Sequence, residues 1–143
     1  MKQFTTDIHP LGDYNIQFSR IDINNDLMIN RIIITNKISN NTLVDIKMDF
    51  STTKALNRYL KLMINNKISG FNLDIPSYNT IEVCRIEGNI LDYYSIELVF
   101  KFENTDNNVS EIRLVLSNND FIKFSNLIFF FLLIDLVSDP FEK

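Results

Sequence analysis

The stretch NLIFFFLLIDL, Asn126 to Leu136, holds eight apolar residues in succession, Leu127 to Ile134. As a helix those eight rise only about 12 Å, whereas a bilayer core asks for about 20 apolar residues. Widening the window brings in Asn126, Ser125 and Lys123 on one side and Asp135 on the other. An in-plane membrane helix carries a cationic polar face, and Lys123 alone does not make one. The stretch is therefore read as the closing helix of a globular core. Ser117 supplies its N-cap and Asp120 the acidic member of a capping box, while Pro140 stops it, so it spans about Asn118 to Val137.

Along such a helix Phe121, Phe124, Leu127, Ile128, Phe131 and Leu132 fall on one side, the stripe expected against a sheet. Phe129, Phe130, Leu133, Ile134 and Val137 point elsewhere, the first four forming the larger part of a second apolar surface. Either neighbouring segments or another chain must cover this second surface, since large exposed apolar patches mark interfaces. A homodimer is the simplest version, with those four residues as the self-association set.

Upstream, several segments alternate with period two, the pattern of strands with one buried face. LVDIKMDF sends Val44, Ile46, Met48 and Phe50 one way and Asp45, Lys47 and Asp49 the other. YYSIELVFKFE does the same with Tyr94, Ile96, Leu98, Phe100 and Phe102, and EIRLVL with Ile112, Leu114 and Leu116. YNIQFSRIDI, MINRIIITNK, GFNLDI and TIEVCRI read as further strands, and short polar turns between them imply antiparallel pairing. STTKALNRYLKLMINN places Ala55, Leu56, Tyr59, Leu60, Met63 and Ile64 on one helical face. Ser51 or Thr52 serves as its N-cap, and Lys54, Asn57, Arg58 and Lys61 form a mildly basic outer face. No linker or repeat divides the chain. The expectation is a single α+β domain over residues 1–143, with one antiparallel sheet of about six to seven strands and two helices on one face.

The charge balance, −4 with 14 basic residues scattered singly, argues against nucleic acid, which needs clustered Lys and Arg. It suits a basic protein partner instead. Without an apolar signal-peptide core in MKQFTTDIHPLGDY, a cytoplasmic location is expected. One cysteine, Cys84, excludes an internal disulfide, and its strand context reads as a small buried filler. With one His, His9, and one Cys, zinc has no ligand set. DINNDL, Asp22 to Leu27, opens like a calcium loop but has Leu27 in place of the glycine and Ile33 in place of the closing Glu. No phosphate-cradling glycine loop occurs, so no cofactor is expected. Asp45 and Asp49 lie about 13 Å apart along a strand, too far for a glycosidase pair. The residues favour a binding protein over an enzyme.

The order of these elements resembles the small WapI-like immunity proteins. The resemblance spans roughly residues 14 to 137 and rests on the helix STTKALNRYLKLMIN, the Pro-containing turn in FNLDIPSYNTIEV, Phe71 to Val83, the pair DYYSIELVFKF and SEIRLVL, and the final helix. It implies a cytoplasmic protein that neutralises a protein toxin by direct binding. The family's frequent tryptophans are absent here, and no functional residue is carried over. Read from the strand pattern, Asp45, Asp49, Asp74, Glu82 and Glu97 are the candidate partner contacts, because each occupies a polar phase. Two alternatives stay open: an anti-defence protein of a phage or mobile element, and a small enzyme with a pocket hidden from the sequence.

Overall fold

Alternating residues build strands, and the chain twice lays down an antiparallel meander followed by a helix. The computed structural model describes residues 2–5, 7–24, 27–75, 79–87, 94–103 and 109–138, with side chains of the last helix followed as far as Leu132. The first half comprises β1 (Lys2–Thr5), β2 (His9–Leu11), β3 (Tyr14–Asn24), β4 (Leu27–Asn36), β5 (Thr42–Asp49) and α1 (Phe50–Ile64). The second comprises β6 (Gly70–Ile75), β7 (Asn79–Glu87), β8 (Tyr94–Glu103), β9 (Val109–Ser117) and α2 (Asn118–Ser138).

The expected α+β class is present, but the strands form two sheets, not one of six to seven. The first sheet runs β1-β3-β4-β5, with β2 also on β3; the second runs β6-β7-β8-β9. β1 pairs with Ser19–Asp22 and β2 with Tyr14–Ile16, so the two share one edge of β3 and each sheet is four positions wide. The split has a physical cause. Periodicity says which face a strand buries, not which strand lies beside it. α1, about 22 Å long, separates β5 from β6, and β6 starts a new ladder with β7. Nor do the helices share one face of one sheet: α1 touches β4, β5 and β6, whereas α2 touches β8, β9 and β2. Each helix bridges both sheets.

One core results. It joins Ile16, Phe18, Ile32, Ile46 and Met48 of the first sheet to Ile81, Val83, Leu98, Phe100 and Leu114 of the second. α1 contributes Leu56, Leu60 and Met63, and α2 contributes Phe121, Phe124, Ile128, Phe131 and Leu132. Phe18 stacks on Phe131 with ring centroids 5.3 Å apart, tying β3 to α2. Tyr59 stacks on Phe71 at 5.1 Å, tying α1 to β6. Between the first sheet and α1, Asn30 Nδ2 of β4 donates to Thr53 Oγ1 at 2.9 Å, and that hydroxyl donates to the Asp49 carbonyl at 2.7 Å.

The helix ends show how local chemistry fixes the frame. Asp49, not Ser51 or Thr52, caps α1: its Oδ1 accepts from the Thr52 amide at 2.7 Å. The helix therefore begins at Phe50, read from periodicity as the last inward residue of the strand. At the other end Asn66 sits at φ 57°. Its amide donates to the Met63 carbonyl at 3.0 Å and the Lys67 amide to Leu62 at 2.8 Å, a Schellman closure. Arg85 of β7 clamps this end, donating to the Met63 carbonyl and to Asn66 Oδ1, each at 2.8 Å. A cation at a helix C-terminus also opposes the negative end of the dipole. Arg85→Met is expected to cost about 1–3 kcal/mol, read as a lower urea midpoint at unchanged m-value.

α2 starts as the sequence suggests, with Ser117 Oγ accepting from the Asp120 amide at 3.1 Å. Its first turn docks on the β2–β3 turn. There Gly12 has φ 61°, and a Cβ would lie 3.0 Å from Asp120 Oδ2.

Candidate functional site

Two surfaces carry the residues with functional potential, and they differ in how far their charges are already used. On the outer faces of the sheets, strand alternation presents the acidic residues to solvent. In the first sheet Arg31 of β4 grips Asp45 of β5 through two hydrogen bonds, Nε to Oδ1 at 2.7 Å and Nη2 to Oδ2 at 2.5 Å. The hydrogen bond from Arg31 holds the Asp45 carboxyl below its ordinary range, against the opposing effect of burial, with Arg31 and Lys47 adding favourable charge. The guanidinium is raised by the same bond.

On the second sheet Lys101 bonds Glu82 at 2.8 Å and lies 3.8 Å from Glu111, while Arg113 reaches Glu97 at 2.9 Å and Glu111 at 3.1 Å. The hydrogen bond to Glu82 raises Lys101, and that to Glu111 raises Arg113. Beneath this lattice Val99, although on the outer phase of β8, is only 3% exposed; Glu82 and Arg113 are its cross-strand neighbours.

The five acids singled out from the sequence are thus not gathered into one site. Asp45 and Asp49 belong to the first sheet, and Asp74, Glu82 and Glu97 to the second. Asp49 caps α1, Asp45, Glu82 and Glu97 are ion-paired, and Asp74 accepts a long 3.5 Å contact from Thr80. Exposed pairs of this kind add at most about 1 kcal/mol each, but they leave little uncompensated charge for a partner.

A pH dependence follows for Asp45. Its folded-state value lies below the unfolded one, so its stabilisation is present above the ordinary carboxylate range and is lost as pH falls through the folded value. Arg31→Met should lower stability at pH 7 by no more than about 1 kcal/mol, because the pair is partly exposed. The gap from the parent should close in strong acid, as measured by urea midpoints across pH.

Cys84 is exposed, not the buried filler expected from its strand context, because Ile81 and Val83 take the inward phase of β7 and Cys84 the outward one. Burial first, then Glu97 and Glu82, push its thiol above the ordinary value, the reverse of an activated nucleophile. His9 is half-buried in β2, opposite Ile16. Among the described residues no three His, Cys, Asp or Glu side chains are grouped to hold a metal. Among those residues, too, no helix is long and apolar enough to cross a membrane.

The second surface lies where α1 and α2 meet. A groove of about 550 Å³ has Phe50 and Ala55 of α1 and Phe129 and Leu132 of α2 as its apolar lining, with Ser51, Lys54, Asn57 and Arg58 completing it. Phe129 is 38% and Phe130 58% exposed, with ring centroids 6.2 Å apart. Lys61 Nζ stands 3.6 Å from the Phe129 ring centre and Lys54 Nζ 5.4 Å from that of Phe50, both within cation–π reach. Of the self-association set, Phe129 and Phe130 are on this surface; the side chains of Leu133 and Ile134 lie outside the described residues. Lys54, Arg58 and Lys61 were legible as the outer face of an amphipathic helix. Their placement beside Phe129 needed the α1–α2 contact, which no local pattern encodes.

Comparison with protein-family models gives no match, and comparison with curated proteins gives none either.

Proposed function

We propose that the chain is a small binding protein of the immunity or inhibitor type, acting in the cytoplasm by docking on a protein toxin and occluding it. The observation that carries this reading is the exposed Phe129–Phe130 pair beside an apolar groove. Aromatic residues and Arg are the side chains enriched in the cores of protein interfaces. A 58% exposed Phe130 contributes little to its own fold and gains most by burial against a partner. The paired acids of the sheets act in this reading as a solubilising surface, so the contact residues shift from Asp45, Glu82 and Glu97 to the helix side.

The test uses the product of the gene immediately upstream. Mixed at micromolar concentration with this chain, it should elute as a heterocomplex by size-exclusion chromatography with mass measurement, and its toxicity in cells should be relieved by co-expression. Separate elution together with unrelieved toxicity would sink the proposal.

A further inference from the structure

We infer that the groove between α1 and α2 receives an acidic, apolar segment of its protein partner, an inference that rests on the binding reading above. Lys54, Arg58 and Lys61 recur at intervals of four and three residues and so form one stripe on α1. All three are exposed, and α1 contains no acidic residue to offset them. Among the described residues none of the three makes an ion pair, whereas Arg31, Lys101 and Arg113 on the sheets all do. With +3 on α1 in a chain of net −4, the remainder carries −7. Along the sequence the charge is uneven: α1 carries three cations and no acid, in a chain of net −4.

An unpaired cationic stripe draws carboxylates towards the groove. The apolar lining offers nothing to the phosphates of a polyanion such as nucleic acid. A second copy docking face to face would set two cationic stripes against each other, a like-charge arrangement that complementary interfaces avoid. An acidic segment with aromatic or branched aliphatic side chains meets both requirements, carboxylates on the stripe and apolar groups against Phe50, Phe129 and Leu132.

The probes are two synthetic amphipathic peptides with identical Leu and Phe positions, one with Glu and one with Lys at every other site. Fluorescence anisotropy should show binding of the Glu peptide and none of the Lys peptide at the same concentration. The double variant Lys54→Glu/Arg58→Glu should weaken the Glu peptide by about tenfold or more, with the circular-dichroism spectrum unchanged. Equal binding of both peptides, or a Glu peptide indifferent to the double variant, overturns the inference. So does tighter binding to phosphatidylserine vesicles than to the peptide, which would assign the stripe to a membrane surface. The protein complex separates the two levels of the proposal. If it is lost with Phe130→Asp but survives Lys54→Glu/Arg58→Glu, the acidic-segment inference fails and the binding reading stands. A complex indifferent to both variants sinks both.

Discussion

Phe131→Ala is expected to remove about 3–5 kcal/mol of folding free energy, the cost of deleting a buried aromatic side chain and leaving its cavity. Phe131 is buried, and its ring stacks on Phe18 at 5.3 Å. The position matters as much as the area. α2 follows β9 directly and packs on β8 and β9, so Phe131 is a place where it also grips the first sheet through β3. Since a domain of this size is stable by about 5–15 kcal/mol, one truncation would bring the fold close to its limit. A urea titration reads this as a fall in midpoint, and Phe131→Leu, which keeps part of the volume, should lose distinctly less. A loss below about 1 kcal/mol for the alanine variant would mean that the two sheets are not joined in the way described.

Phe130→Asp should show the opposite profile, one residue away. Because Phe130 is exposed on α2, the substitution should move stability by no more than about 0.5 kcal/mol. Binding should suffer far more: truncating an aromatic anchor at an interface centre costs about 2–4 kcal/mol, or roughly 30-fold to 1000-fold in Kd. Calorimetric titration of the upstream gene product measures it. A variant that unfolds easily and binds normally would show that Phe130 is covered by its own chain.

Much of the frame is legible in the sequence. The inward residues of β5, β8 and β9 follow the alternation of Val44, Ile46 and Met48, of Ile96, Leu98 and Phe100, and of Leu114 and Leu116. The start of α2 at Ser117 and its buried stripe of Phe121, Phe124, Ile128, Phe131 and Leu132 were equally plain, although Leu127 is only partly buried. What escaped shares one cause: it depends on which segments become neighbours. β2, His9–Leu11, is too short to show a period and exists because β3 offers it an edge. The division into two sheets depends on where α1 delivers the chain. Arg31, Lys101 and Arg113 meet their acids across 14, 19 and 16 residues, so the neutralisation of Asp45, Glu82 and Glu97 appears only once strand register is fixed. The groove is hidden for the same reason, since its lining comes from two helices about 70 residues apart.

The central claim is that a partner covers the helix side and leaves the sheet faces in water. Hydroxyl-radical footprinting of the complex with the upstream gene product tests it directly, because exposed reporters stand on both surfaces: Phe129 and Phe130 on α2, Cys84 and Val115 on the second sheet. Complex formation should slow oxidation of Phe129 and Phe130 and leave Cys84 and Val115 at their free rates. Protection of Cys84 and Val115 with Phe130 unchanged would place the interface on the acidic sheet face and contradict the claim.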